Sequence, residues 1–322
     1  MKKNTRKAIL GLVVLLFVVI GYLGWKQTGG GSSNNLTTIT IGYQAGDEID
    51  LAKLRGQLKK KMKAKGYNVK FKEFQNGSAE MQALASGSID YARVGDTPGV
   101  TALASGTKLT YIGVGGTKEN GTGILVKKSS GITSLSDLKG KKIAYTKGTS
   151  SQYLVMKALK KAGLSTSDVT LVNLDQSAAA TAYANGSVDA WVNWDPTTSK
   201  LELSGSTLVT NGKAIGDNNR SYLIASTSFA KKHTEASKLL IKYLASDMKW
   251  ANSHHSLLIK KWSKELKLSK ATVKKMVNRR TYSFSKMNKT AVSELQDIAD
   301  LFYKNNVIKK KVTVKNFVNY LK

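Results

Sequence analysis

No cysteine occurs in this chain, which excludes disulfides, thiolate metal sites and thiol nucleophiles outright. Histidine is nearly as scarce, with His233, His254 and His255 only. Neighbouring residues on a helix point in different directions, so the His254–His255 pair reads as surface, and the set argues against a metal site. Acids are outnumbered by Lys and Arg, 21 to 51, which leaves a net charge of +30. Such a charge attracts anions at long range, whether small solutes, anionic lipid or envelope polymers. Between Phe229 and Asn288 there are 15 Lys or Arg against Glu235, Asp247 and Glu265, spread through amphipathic helical patterns as a solvated face. Nucleic-acid binding would need a known module or a groove of interleaved basic and aromatic residues. Neither is present, so nucleic acid is not an expected partner.

Proline is limited to Pro98 and Pro196, and each ends a copy of one passage. The first runs from Ala85-Ser86-Gly87-Ser88-Ile89-Asp90 to Gly95-Asp96-Thr97-Pro98; the second runs from Ala184-Asn185-Gly186-Ser187-Val188-Asp189 to Trp194-Asp195-Pro196. At a constant offset of 99, Ser78 falls on Ser177, Gly87 on Gly186, Asp90 on Asp189 and Asp96 on Asp195. Small-residue helical patterns, 79–86 and 178–185, lead to glycines placed as left-handed helix ends. Short β-prone runs follow, 89–94 and 188–194, and then Asp-Thr-Pro or Asp-Pro, which suits the capped start of another helix. Each copy is therefore helix, strand, and a loop opening a helix. In open α/β sheets ligands sit at the carboxyl ends of strands, so two such loops predict the two walls of one cleft.

Ahead of the body, Lys2, Lys3, Arg6 and Lys7 precede an uncharged apolar run from Ala8 to Trp25. Eighteen residues just suffice to span a bilayer. No Ala-x-Ala site follows, so the segment reads as an uncleaved transmembrane signal anchor, a cleaved signal being the alternative. The positive flank puts the N-terminus in the cytoplasm and the body outside, and Gly29 to Ser33 reads as a flexible tether. Within the body, strands are expected at 36–43, 67–74, 109–114, 123–128, 142–145, 169–174, 208–209 and 221–225, with a basic helical stretch over 49–65. From Thr227 the pattern is nearly all helical. Lys147-Gly148-Thr149-Ser150-Ser151-Gln152 opens a helix running to Ala162; its free N–H groups make an anion site available, although an ordinary Ser/Thr cap has the same appearance. It is not a nucleotide P-loop, which would end Gly-Lys-Ser/Thr. The chain is thus read as α/β with an inserted second half: anchor and tether 1–36, lobe 1 from 37–126 and 226–322, lobe 2 from 127–225.

Taken together, the segments resemble the solute receptors of ABC importers for aliphatic sulfonates, within the sulfonate, nitrate and taurine group. The likeness covers Thr38 to the C-terminus. It is carried by Ile41-Gly42-Tyr43-Gln44, Leu51-Ala52-Lys53-Leu54-Arg55-Gly56, Glu73-Phe74, Gly87-Ser88-Ile89-Asp90 with Gly95-Asp96-Thr97-Pro98, Asp137 to Lys142 with Lys147 to Ser151, Ala190-Trp191-Val192 with Trp194-Asp195-Pro196, and Arg279-Arg280-Thr281-Tyr282. Many relatives carry a second proline where Gly99 stands here, and the lipid-anchoring cysteine frequent on Gram-positive cells is absent.

The resemblance implies a two-lobed periplasmic-binding-protein type II fold with two crossover strands, closing over an anion. It implies a monomer without cofactor that hands a small organosulfonate to an ABC permease and its ATPase, outside the membrane of a Gram-positive-type envelope. The family's pocket positions fall on Gln44, Gly95, Asp96, Thr97, Gly148, Thr149, Ser150, Ser151, Trp194 and Asp195, to which Arg220 is added on charge grounds. Asp96 and Asp195 would repel an anion, so they are expected to cap helices, orient donors or hold a base such as Arg220. Trp191 or Trp194 is available as an apolar wall. Taurine, nitrate, a thiamine pyrimidine precursor and a non-transport envelope sensor remain alternatives. Catalysis is not expected: related hydrolases use a cysteine, and the three histidines lie outside the cleft loops.

Overall fold

The computed structural model describes residues 36–321; the expected anchor and Gly/Ser tether lie outside the described residues. From Thr37 onward the chain forms one unit. Strand β1 (Thr37–Tyr43) leads to α1 (Glu48–Arg55), whose cap Asp47 accepts from the N–H groups of Ile49 and Asp50. The single helix expected over 49–65 is two, because Gly56 takes a left-handed φ of 70° and ends α1 before α2 (Gln57–Lys63) begins. Then come β2 (Tyr67–Glu73), α3 (Gly77–Ala85), β3 (Tyr91–Val94), α4 (Asp96–Ala104) and β4 (Leu109–Gly115). The second half holds β5 (Thr122–Lys127), β6 (Lys142–Tyr145), α5 (Ser150–Lys161), β7 (Thr170–Asn173), α6 (Gln176–Asn185), β8 (Ala190–Trp194), α7 (Thr197–Leu203), β9 (Ser206–Asn211) and α8 (Gly212–Ile215). The chain returns through β10 (Tyr222–Ser226) to α9 (Thr227–Lys232), α10 (Thr234–Ser253), α11 (His255–Glu265), α12 (Lys270–Asn278), β11 (Phe284–Lys286) and α13 (Lys289–Lys304). The three-residue β11 has too short a pattern to read in sequence; its pairing with β4 creates it.

Two sheets result, β11-β4-β10-β3-β1-β2 and β7-β6-β8-β5-β9. Strand β10 runs antiparallel between β3 and β4, and β5 runs antiparallel between β8 and β9. Both halves therefore share one plan, β2-β1-β3-β10-β4 matching β7-β6-β8-β5-β9. In each, the antiparallel member is the first strand after a crossing. The sequence repeat is the visible part of this correspondence: β3 and β8 are central in both, and Gly87 and Gly186 both take left-handed φ values, 72° and 81°. The expected lobe boundaries at 126/127 and 225/226 fall inside β5 and β10. Pairing decides this, since Thr122 to Val126 lie in register with β8 in the second sheet. The crossings are residues 116–121 and 216–221.

Alternate strand residues face opposite sides of a sheet, and β8 uses both sides. Ala190 and Val192 join the core that also holds Val94, Ile124 and Leu154, while Trp191 packs with Tyr183 in a separate cluster behind the second sheet. Trp191 is thus plain core and Trp194 is left for the cleft. A third cluster, around Ile39, Leu58, Leu244 and Trp262, fixes α1, α2 and α10 to α12 on the far face of the first sheet.

Candidate ligand-binding cleft

Four strand-to-helix turns from the two sheets, after β1, β3, β6 and β8, meet at a cavity of about 50 Å³. All lie at carboxyl ends of parallel strands, where α/β folds hold ligands. Gln44, Ala45, Gly46 and Asp47 come from the first turn, Gly95 and Pro98 from the second, Thr149 and Ser150 from the third, Trp194 and Asp195 from the fourth. Lys118 and Gly121 from one crossing, Thr122 at the start of β5 and Asn219 from the other crossing also line it.

Two helix starts face each other here. Neither α4, with Gly95 at its cap, nor α5, with Thr149, has a side-chain cap bond. A Cβ on Gly95 would stand 3.8 Å from Ser150 Oγ and 3.3 Å from Asn219 Oδ1. The positive dipole ends of two helices therefore lie close together at the cavity. The hydroxyls of Thr149 and Ser151 are turned away from it: Thr149 Oγ1 donates to Thr146 O at 2.7 Å and meets Ser151 Oγ at 2.9 Å, and Ser151 Oγ accepts from Thr146 N–H at 3.0 Å. They brace the turn, and Ser150 is the hydroxyl left at the cavity wall.

A buried charge network underlies the other side. Arg93, only 4% exposed, lies in the otherwise apolar β3. Its Nε meets Glu48, its Nη1 is 3.7 Å from Asp47 Oδ2, and its Nη2 has no hydrogen-bond partner among the described residues. Burial raises Asp47 to about 7 against the opposing pull of Arg93. Glu48 is also penalised by burial, but Arg93 and Lys118 outweigh that and bring it down to about 2. Burial and the nearby Asp47 push Glu80 well up; its oxygens accept from Gln44 Nε2 at 3.2 Å and from the Arg93 N–H at 2.5 Å. Lys118 makes no ion pair within 4 Å among the described residues, and burial together with Arg93 and Arg280 lowers it to about 7.

Of the residues expected at the site, Gln44, Gly95, Thr149, Ser150, Trp194 and Asp195 line the cavity. Asp96, Thr97 and Ser151 are buried and do not line it. Gly148 sits at the lobe–lobe contact, where an added Cβ would lie 2.7 Å from Ser78 Oγ. Arg220 does not reach the cavity: its Nε donates to Glu294 Oε2 at 2.7 Å on α13. Nor does Asp195 hold Arg220. Arg279 Nε donates to Asp195 Oδ2 at 2.8 Å, and Asp195 Oδ1 caps α7 by accepting from Ser199 N–H at 3.0 Å. Sequence reasoning missed Arg93, Lys118, Asn219 and Arg280. Arg93 had a signal, a charge in the middle of a buried strand pattern. Lys118 and Asn219 lie on crossings that carry none.

Comparison with known proteins identifies a family. The NMT1/THI5-like family profile matches residues 62–255. A protein of Bacillus subtilis (strain 168) named for aliphatic-sulfonate binding is 31% identical over 96% of this chain and 94% of its own length. Among solved structures, the alkanesulfonate-binding protein of Xanthomonas axonopodis pv. citri bound to MOPS superposes with a TM-score of 0.84 at 31% identity, covering 88% of this chain and 98% of that one. The periplasmic aliphatic sulphonate binding protein of Escherichia coli gives a TM-score of 0.80 at 30% identity, covering 88% and 92%. With its shared sheet plan, two-walled cleft and near full-length likeness, this chain belongs to the NMT1/THI5-like family, in the group of aliphatic-sulfonate-binding proteins.

Proposed function

We propose that the chain is the extracytoplasmic solute-binding component of an ABC importer, taking an aliphatic sulfonate between its two lobes and delivering it to the permease and, through it, the ATPase. The observation that carries this reading is the Arg93 guanidinium, buried at the cavity with Nη2 unpartnered. A buried donor left unpaired costs about 1–3 kcal/mol, more when charged, and an anionic oxygen removes that cost. Ser150 and the first-turn N–H groups of α4 and α5 supply further donors, which suits a headgroup with three acceptor oxygens. The cavity is small, so it holds the headgroup, with Trp194 at the wall for the carbon substituent. MOPS, held by the Xanthomonas protein, is itself an organosulfonate.

The reading is a binding protein rather than an enzyme: the donors gathered at the cavity suit an anion, and the carboxylates Asp47 and Asp195 on its wall are engaged by backbone N–H groups and by Arg279. Taurine adds an ammonium, which wants a free carboxylate. Asp47 is taken by the N–H groups of Gln44, Ile49 and Asp50, and Asp195 by Arg279 and Ser199. The site therefore favours alkanesulfonates over taurine.

Calorimetry of residues 37–322 against short alkanesulfonates, taurine, nitrate, sulfate and a thiamine pyrimidine precursor tests this. Alkanesulfonates are expected to bind one to one and be recovered unchanged. Heat with the pyrimidine or nitrate but with no sulfonate would overturn the assignment. Arg93→Met paired with Glu48→Gln, which removes both charges together, is expected to keep the fold and lose binding.

A further inference from the structure

We propose that the outer face formed by α2 and α10 is a docking surface for an anionic phospholipid bilayer. The chain from Leu51 to Lys72 carries nine basic residues and no acid. Lys59, Lys60, Lys63 and Lys65 stand exposed on or just beyond α2, and Lys242 and Lys249 stand exposed on α10, which packs beside it. Among the described residues, the one exposed acid on α2, α9 and α10 is Glu235; Asp247 is buried against Arg55. This face therefore presents nearly unopposed positive charge.

Two further observations select a bilayer. The apolar residues that would otherwise surface on this face are covered by cations: Arg55 lies 4.4 Å over Trp250 and Lys61 5.5 Å over Tyr243. The face is thus a carpet of hydrated ammonium groups suited to phosphate headgroups, with no wedge to insert. The body also begins at this face. The Thr37 N–H donates to Gly66 O at 2.9 Å, one residue beyond Lys65, and the sequence ahead of Thr37 carries the apolar run Ala8 to Trp25. Lysines near an anionic surface contribute cooperatively and fade within a Debye length. Lys70 and Lys72 lie on the edge strand β2, where lysine also serves to block strand pairing.

Residues 37–322 contain all three apolar clusters and form their own unit, so that fragment is the probe. It is sedimented with vesicles of phosphatidylcholine alone and of phosphatidylcholine with about one third phosphatidylglycerol. Binding is expected to the second only, and to vanish between about 0.1 and 0.5 M salt. Replacing Lys59, Lys60, Lys63 and Lys65 together with Glu is expected to weaken it at least a hundredfold, on the order set by four surface lysines. The same change at Lys139, Lys142, Lys160 and Lys310, exposed elsewhere, is expected to change it by less than about threefold by the same count. Equal loss in the two variants, sedimentation with neither vesicle, or retention on poly(glycerol phosphate) without retention on vesicles would overturn the proposal. Unchanged sulfonate binding in both variants shows that they are folded and keeps this test separate from the receptor reading.

Discussion

Arg279 and Asp195 join the two lobes across the mouth of the cleft. Arg279 stands at the end of α12, packed with the first sheet, and Asp195 at the end of β8 in the second. Arg279 Nε donates to Asp195 Oδ2 at 2.8 Å, its Nη2 reaches Asp195 Oδ1 and Ser199 Oγ, and its Nη1 donates to Glu202 Oε2 at 2.7 Å. Lys275 adds a second tie to Glu202 at 3.2 Å. Asp195 also lines the cavity, so one carboxylate belongs both to the lobe contact and to the ligand wall.

Opening the cleft must break these charge-assisted bonds. Arg279→Ala is therefore expected to widen the molecule in small-angle scattering and weaken sulfonate binding by about ten- to a hundredfold, the worth of one or two hydrogen bonds to a charged group. An unchanged radius of gyration together with unchanged affinity would rule out a part in closure.

Gly95 and Ser150 give a second test. Gly95 has φ −67° and ψ −173°, an ordinary extended backbone, so Gly95→Ala introduces no backbone strain. Its methyl would stand 3.3 Å from Asn219 Oδ1, in the space between the two helix starts. Affinity is expected to fall about tenfold or more while the melting temperature moves by only a few degrees. Ser150→Leu should do the same more strongly. Ser151 is the wrong target, since its hydroxyl holds the β6–α5 turn.

Binding should also depend on pH, although a sulfonate does not titrate near neutrality. Lys118 lies near 7 and Asp47 near 7, and an incoming anion favours the protonated form of both. Affinity is therefore expected to rise as pH falls through about 7 and to drop above it by up to tenfold per unit for each of the two groups. Calorimetry in buffers of different ionisation enthalpy should record proton uptake on binding near pH 7, reduced in Lys118→Met. For the free receptor the Lys118 contribution has the opposite sense. Its folded pKa is below its unfolded one, so stability rises with pH between about 7 and the ordinary lysine range.

Asp96 and Asp217 form a buried pair at the second crossing. Burial raises both, and the charge of Asp96 pushes Asp217 further up. Asp217 Oδ1 accepts from Asn219 N–H at 3.0 Å, while Oδ2 has no hydrogen-bond partner among the described residues. An acid raised in the folded state loses stability as pH climbs from its unfolded value toward its folded one. Asp217→Asn puts a donor at the Oδ2 position and should stabilise the protein by about 1–2 kcal/mol at pH 8 and by less at pH 5. Equal melting curves for the two proteins at both pH values would show that the buried Asp217 carboxylate carries no such cost.

The sequence by itself determined the local grammar of this protein. Gly87 and Gly186 end helices because only their backbone adopts positive φ cheaply, and β3 and β8 follow because short β-branched and aromatic runs pack in a sheet interior. The 99-residue offset announced two equivalent halves, and the Gly148 to Ser151 turn announced a helix start able to hold an anion. Tertiary structure decided everything that depends on pairing across the chain. Whether Thr122–Lys127 belongs to one lobe or the other is set by register with β8, a contact more than sixty residues away in sequence. The cations of the cleft were hidden for the same reason: Lys118 and Arg280 come from a crossing and from the segment after α12, and only folding brings them to Arg93. Arg220, the base that charge alone suggested, is neutralised by Glu294, seventy-four positions further on. Local steric preference is written residue by residue; electrostatic partnership is not, because a charge pairs with whatever the fold sets beside it.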